Sequence, residues 1–269
     1  MNLAKRHKIK LGSKVDLSSI DARDAGNFRS KDKANERRVM NIERLNKLQS
    51  KLYAENKRSL LVVLQGMDTA GKDGTIRHVM TGVNPQGCRV QSFKSPSTEE
   101  LDHDFLWRVH RAVPPRGTIG LFNRSHYEDV LIVRVHNLIP KKVWSKRYEQ
   151  INRFEENLVE SGTTILKFFI YISKDEQRER LQARLEDPEK TWKFNEADIE
   201  ERKKWDDYIK AYEAALSKCS TPWAPWYVIP SDRKWYRNLA VSEIIADKLD
   251  SMDLQIPQPD FDPSGIVIE

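Results

Sequence analysis

One stretch constrains the fold of this chain more than any other: Leu60 to Gly74, reading LLVVLQGMDTAGKDG. Six largely apolar residues, Leu60 to Gln65, predict a buried strand. A glycine turn follows, and Thr75-Ile76-Arg77-His78-Val79-Met80 continues with helical character. Gly66, Gly71 and Lys72 carry the spacing of a phosphate-binding loop, G-x-x-x-x-G-K-[ST], with Asp73 in place of the final hydroxyl residue. The spacing has a physical purpose. Glycines let the backbone curl its N–H groups around phosphate oxygens, the lysine adds a point charge, and the helix start adds a partial positive charge. A strand, this turn and a helix form one half of a parallel β-α-β unit, so the rest of the chain has to supply more strands and crossover helices.

The rest supplies them. Lys33 to Lys57 lacks Pro and Gly and sets Val39, Ile42, Leu45, Leu48 and Leu52 at helical spacing. Cys88 to Phe93 reads as a second strand. Ser97 is an N-cap, with Glu99 and Glu100 in the first turn of a helix running to about Ala112. Thr118 to Phe122 is the third strand, and Val143 to Glu160 a helix stopped by Gly162. Thr164 to Ile172 is a fourth strand, apolar enough to be central. Asp175 to Leu185 and Glu196 to Lys218 read as helices on either side of Pro188. Trp226 to Pro230 is a fifth strand, and Trp235 to Met252 the last helix. Strands alternating with helices specify a parallel sheet covered on both faces. Three segments are expected: residues 1–58, a basic extension and helix packed on the core; residues 59–255, the phosphate-binding domain; and residues 256–269, an extended tail with Pro257, Pro259 and Pro263. Residues 1 to about 30 read as irregular and wrapped on the surface.

Composition bounds the setting. No apolar run approaches the ~18 residues of a membrane-spanning helix, and the N-terminus lacks the apolar segment of a secretory signal. Two cysteines, Cys88 and Cys219, have no metal-binding spacing and suit a reducing cytoplasm. Asn123-Arg124-Ser125 matches a glycosylation sequon, which means nothing in a cytosolic chain. The net charge is +6, unevenly spread: residues 1–58 hold 16 Lys or Arg and 7 Asp or Glu, so 16 − 7 = +9, and the remainder carries 6 − 9 = −3. Such a segment is either a solvated helix and tail or a field for a polyanion.

The chemistry gathers around the loop. The third strand runs into Asn123-Arg124-Ser125-His126-Tyr127-Glu128-Asp129. Strand ends beside such a loop face the phosphates and often carry a metal-binding aspartate. Here Asn123 stands there, and Arg124 is placed to grip a phosphate with two N–H groups. With neither the loop hydroxyl nor that aspartate, Asp68 and Asp73 are the carboxylates available. Asp68 reads as a Mg²⁺ ligand or a positioning base, because an acid in a phosphate cradle needs a cation to face. After the fourth strand, Arg180 and Arg184 share a helix face, and Lys190 and Lys193 follow Pro188. The segment from about 175 to 200 therefore reads as a helical lid that brings arginines over a transferring phosphoryl group, its rival being a solvated charged helix.

Four stretches resemble, in order and spacing, the polyphosphate kinase 2 family: Gly66 to Gly74; Phe122 to Val130; Arg184 to Lys193; and Arg202-Lys203-Lys204-Trp205-Asp206-Asp207-Tyr208, with Trp223 to Pro230 beyond them. The resemblance covers roughly residues 30 to 255. It implies a P-loop kinase fold similar to thymidylate kinases: an α/β three-layer sandwich with a central parallel sheet and a helical lid. It implies Mg²⁺-dependent phosphoryl transfer between inorganic polyphosphate and nucleotides, with Mn²⁺ as an alternative ion. The products would be ADP and ATP from AMP and ADP, with guanine nucleotides as further candidates. Carried over residue by residue, Asp68 positions metal and phosphate, Lys72 contacts phosphate, Arg124 grips it and Arg184 is the lid arginine. Gly66, Ala70, Gly71, Asp73, Gly74, Thr75, Asn123, Lys190 and Lys193 complete the expected binding set. Asn123 departs from the Asp of many relatives. A cytoplasmic homo-oligomer, dimer or tetramer, without nucleic-acid or membrane partners, is expected. Two rivals stay open: an ATP-dependent nucleoside monophosphate kinase on the same fold, and a non-catalytic P-loop protein that binds nucleic acid through residues 1–58.

Overall fold

The computed structural model describes residues 2–262, 266 and 268. Its centre is a five-stranded, wholly parallel sheet in the order β2-β3-β1-β4-β5. The elements follow in chain order: α1 (Leu3–His7), α2 (Lys31–Glu55), β1 (Ser59–Gln65), α3 (Lys72–Val79), β2 (Cys88–Ser92), α4 (Thr98–Leu101), α5 (Trp107–Ala112), β3 (Ile119–Asn123), α6 (Ile132–Val135), α7 (Lys141–Glu160), β4 (Thr163–Tyr171), α8 (Lys174–Glu186), α9 (Ala197–Lys203), α10 (Trp205–Cys219), β5 (Trp226–Pro230) and α11 (Lys234–Asp250). Every residue of β1 is buried, as an apolar strand covered on both faces requires. Helices α2, α3 and α11 cluster on one side of the sheet, and α7 and α10 pack together on the other. This is the three-layer P-loop kinase architecture expected, with the glycine loop leaving the C-terminal end of the central strand.

Register and close packing fix the loop. Leu64 pairs with Asn123 of β3 and with Phe168 of β4, so the loop starts level with the end of β3. A Cβ on Gly66 would lie 2.6 Å from the Ile170 carbonyl oxygen, so only glycine lets the chain turn there. Gly71, the N-cap of α3, has φ of +104°, and a Cβ would fall 1.9 Å from the Arg237 guanidinium. Backbone approach dictates Gly66, and a positive φ with the Arg237 side chain against it dictates Gly71.

Three expected helices differ from the sequence reading. The helix expected from Ser97 to Ala112 is two short ones. Ser97 and Glu100 form the N-terminal capping box, but Asp104 then starts a new turn. Its side chain accepts from the Leu106 N–H at 2.9 Å, and His103 stacks on Trp107 at 4.0 Å. The helix expected from Glu196 to Lys218 breaks at Lys204, whose Nζ is drawn 2.9 Å from His136 Nδ1. In α2 the buried stripe is Ala34, Asn41, Leu45, Leu48 and Leu52. Val39 is off that face and 48% exposed, because the bonds of Arg37 to Glu243 and of Arg44 to Asp247 set the rotation of the helix against α11.

The first thirty residues are anchored rather than loosely wrapped. Leu3 and Leu17 are fully buried. Lys8 bridges Tyr227 in antiparallel sense, and the Ile9 N–H donates to the Trp226 carbonyl at 2.9 Å. The segment thus covers the free edge of β5, an edge that would otherwise invite pairing with another chain. Residues 253–262 carry no helix or strand; Pro263 and the rest of the tail expectation lie outside the described residues, Ile266 and Ile268 apart.

Candidate active site

The loop is held from outside by its carbonyls. Gln177 Nε2 donates to the Asp68 carbonyl at 3.0 Å. Arg180 Nη1 donates to those of Thr69 and Ala70 at 3.0 and 2.9 Å. Ser231 Oγ and Arg237 Nη1 add two more donors to Ala70, at 2.9 and 3.2 Å. In a planar trans peptide the N–H points opposite the preceding C=O. Fixing the Asp68 and Ala70 carbonyls outward therefore turns the N–H groups of Thr69 and Gly71 toward the inside of the loop, as anion binding needs. Thr69 takes a φ of +63° to make the turn.

Lys72, the first residue of α3, is buried. Its Nζ donates to the Gly66 and Met67 carbonyls at 2.7 and 3.2 Å. Burial, helped by nearby Arg124, pulls its pKa down to about 8. Asp73 follows in the first turn of α3, where the helix dipole favours a carboxylate, and it accepts a hydrogen bond from Asn123 Nδ2. Asn123 thus ties the end of β3 to the start of α3. Gly74 and Thr75 sit in the first turns of α3, where Thr75 Oγ1 donates to the Gly71 carbonyl at 2.9 Å.

Arg124 lies across the loop from Lys72. Its φ is +61°, a left-handed conformation that costs a non-glycine residue about 1–2 kcal/mol. Its N–H donates to the Leu64 carbonyl at 3.0 Å, which secures the bend. Its Nη2 bonds Asp68 Oδ1 at 2.7 Å. Burial alone would weaken its hold on the proton, but Glu128 and Asp68 outweigh it and the Arg124 pKa is raised. Glu128 faces Arg124, Lys72, Gln65 and Asp68, and its own pKa is raised because burial outweighs those cations.

The segment expected as a lid consists of α8, the exposed turn Thr191–Lys193 and α9. Arg184 faces Asp198 of α9 at 3.6 Å. Burial and the charge of Asp68 raise the Asp198 pKa, against Arg184, Arg124 and Lys72. Asp198 therefore lies within electrostatic reach of both the loop and the lid arginine. Lys190 pairs with Asp187. Lys193 lies over the Trp192 ring, 5.0 Å from its centre. Both lysines are exposed on the outer turn and make no contact with the loop among the described residues.

The structure thus gathers Asp68, Lys72, Asp73, Asn123, Arg124 and, through Asp198, Arg184. Sequence reasoning missed the loop supports Gln177, Ser231 and Arg237 and gave no role to Glu128 or Asp198; it expected Arg180 beside Arg184 over the phosphoryl group, whereas the structure buries Arg180 against the Thr69 and Ala70 carbonyls. A signal existed for Ser231, which immediately follows the end of a strand flanking the site. None existed for Asp198, which reaches the site only through the fold of the lid.

Residues 28–257 match the family model described as Polyphosphate kinase 2 (PPK2). The chain is 53% identical over 266 residues to the AMP/ADP-polyphosphate phosphotransferase of Meiothermus ruber, covering 98% of this chain and 100% of that one. It is 48% identical over 266 residues to the ADP-polyphosphate phosphotransferase of Rhodopseudomonas palustris, covering 94% and 92%. The crystal structure of polyphosphate kinase 2 from Arthrobacter aurescens TC1 superposes with a TM-score of 0.95 at 43% identity, covering 98% of this chain and 94% of that one.

Proposed function

This chain belongs to the polyphosphate kinase 2 family, and from that membership we propose that it transfers phosphoryl groups between inorganic polyphosphate and adenine nucleotides, making ADP from AMP and ATP from ADP. The observation that carries the reading is the loop held from outside with Lys72, Arg124 and Asp68 converging on its inner side. A polyphosphate carries about one charge per phosphate and offers no base to read, so cations and backbone N–H groups are what its recognition needs.

The acceptor's terminal phosphate oxygen, already ionised at neutral pH, attacks the terminal phosphorus of the polyphosphate. The bond from that phosphorus to the bridging oxygen breaks, and the electron pair stays on the shortened chain. No general base is needed, so positioning and charge neutralisation do the catalysis. Loop N–H groups hold the phosphates, and Lys72 exchanges its carbonyl partners for phosphate oxygens. Arg124, oriented by Asp68, grips the group in transit, and Arg184 covers it from the lid.

Among the described residues no three His, Cys, Asp or Glu side chains are placed to hold an ion by themselves. Magnesium sites at phosphates normally use only one or two carboxylates, with phosphate oxygens and waters completing the shell. The donor set fits that pattern: burial first and then the nearby charge of Asp68 raise the pKa of both Glu128 and Asp198, so carboxylates crowd where a divalent cation would relieve them. Asp68 would hold the ion, which when bound neutralises charge on the transferring phosphates.

The test is a set of initial rates with polyphosphate and no ATP, against AMP, ADP, GMP and GDP. ATP formed from ADP, and ADP from AMP, is expected. Failure to phosphorylate either adenine nucleotide overturns the reading and returns an ATP-dependent nucleoside monophosphate kinase to consideration.

A further inference from the structure

Strand β4 carries one charged residue, a lysine in its middle, and that lysine is buried with no exposure. Lys167 Nζ places all three of its protons: on the Tyr127 hydroxyl at 2.8 Å, on Glu155 Oε2 at 2.5 Å and on the Cys219 carbonyl at 2.6 Å. Glu155, on α7, is equally buried. Its Oε1 accepts from the Tyr127 hydroxyl at 2.9 Å and lies 3.1 Å from His126 Nε2. Burial would raise the Glu155 pKa, but Lys167 and His126 outweigh it and hold it low. An ionised carboxylate only accepts, so His126 carries its proton on Nε2. The rings pack as tightly as the polar atoms: Tyr127 meets Trp226 edge-on at 4.8 Å, and His126 meets Phe154 at 5.7 Å.

Stability alone does not account for such a pair. Replacing a buried ion pair by apolar residues is often neutral or stabilising, so ionic groups retained in a core are candidates for fixing one arrangement over others. Here the arrangement is local. His126 and Tyr127 lie between Arg124 and Glu128. They turn into the core while Arg124 and Glu128 turn toward the loop. Ser125 caps the same segment by accepting from the Tyr127 N–H at 3.2 Å and from Gln65 Nε2 at 3.1 Å. Arg147 ties its far end, donating to Asp129 at 2.7 Å. The backbone at Arg124 is in a conformation it would not adopt freely, so something must hold it there.

We propose that the buried network of Lys167, Glu155, His126 and Tyr127 is a positioning device for residues 124–130, fixing where Arg124 and Glu128 meet the transferring phosphates. These are positioning residues, since none touches substrate. The inference rests on the function proposed above for Arg124. A misplacement of about 1 Å can cost about 100-fold in rate, so the network need not touch phosphate to matter.

His126→Leu and Tyr127→Phe test it: the first removes the tie to Glu155, the second the hydroxyl's ties to Glu155 and Lys167, and the Lys167–Glu155 pair survives both. Each should lower kcat about tenfold with KM for polyphosphate and ADP within about twofold, the signature of an interaction made only in the transition state. His126→Gln, whose amide can still donate to Glu155, should recover most of kcat. Backbone amides of residues 124–130 should exchange faster in His126→Leu and Tyr127→Phe than in the wild type. A lower melting temperature with unchanged kcat and unchanged exchange overturns the proposal and leaves the network purely structural. A loss of kcat that His126→Gln does not reverse also overturns it. The exchange arm needs no substrate, so it decides the proposal even if the wild type makes no ATP from polyphosphate, a result that would count against the proposed function instead.

Discussion

Lys72 is the residue on which most of the site depends. Its ammonium sits on two loop carbonyls with a pKa of about 8, well below the ~10.4 of a free lysine. Lys72→Ala should lower kcat by about 100–1,000-fold, the cost of losing one preorganised charge at developing negative charge, with the fold intact by circular dichroism; retained turnover would remove the loop from the mechanism. The pKa gives a direction in pH. Only the protonated form attracts phosphate, so kcat/KM for polyphosphate should fall as pH rises through about 8. For stability the sign is opposite: from about 8 to 10.5 the unfolded chain binds more protons than the folded one, so this group adds stability as pH rises across that window. A kcat/KM flat from pH 7 to 9 would contradict the assignment. Asp68→Asn removes the carboxylate that orients Arg124 and is proposed to hold the ion, so the Mg²⁺ concentration at half-maximal rate should rise; an unchanged titration assigns Asp68 to Arg124 alone.

At the scale of elements, the lid and the loop form one mechanical unit. Arg202 of α9 donates to Gln177 Oε1 at 2.9 Å, and Gln177 Nε2 donates onward to the Asp68 carbonyl. His136 Nε2 meets Glu201 at 2.9 Å, tying α9 to α6. Arg184, on α8, thus sits on an arm anchored to the loop through Gln177 and to α6 through α9. Arg184→Ala should lower kcat by several orders of magnitude, toward the ~10³–10⁵ measured for arginine fingers, with little change in melting temperature because the side chain is 28% exposed. An unchanged kcat would reduce the lid to a solvated helix. The elements that sequence reasoning located well are those whose signal is local: apolar β1, the glycine loop and the β5 run from Trp226 to Pro230. It joined α4 to α5 and α9 to α10 because both breaks depend on contacts absent from any window, the His103–Trp107 stack and the pull of His136 on Lys204. In the site it named Asp68, Lys72, Asp73, Asn123 and Arg124, which the structure brings together around the loop. It missed Arg237 and gave Arg180 the wrong place, a lid arginine rather than a brace of the loop, because only the fold shows that both are buried against loop carbonyls.

The whole molecule gives the basic N-terminal segment a meaning that its charge alone did not. Of the excess in residues 1–58, Arg23 pairs with Asp232, Arg37 with Glu243 and Arg44 with Asp247 and Asp250, all outside the segment, while Arg6–Asp24 and Arg58–Glu55 are pairs within it. Two of these arginines, Arg37 and Arg44, lie on α2 and reach acids of α11, so the segment's positive charge meets part of the negative charge of the rest of the chain. The pairs dock α2 onto the helix that carries Arg237, and Arg237 supports the Ala70 carbonyl of the loop. The paired arginines add little to the attraction of a polyanion, because the field of a neutralised pair is short-ranged and is screened beyond about 8–10 Å. Arg37→Ala leaves Glu243, whose side chain is 3% exposed, buried without its partner, which is costlier than losing an exposed ion pair. That variant should therefore melt several degrees lower, at about 1–3 kcal/mol of lost stability for an unsatisfied buried group. Its KM for polyphosphate, and the salt dependence of that KM, should stay within about twofold of wild type, since a docking contact far from the transferring group leaves uniform binding intact. If KM rises severalfold and the salt slope flattens while the melting temperature holds, the segment is part of the polyanion path after all, and the charge pattern acts through its field rather than through the packing of α2 on α11.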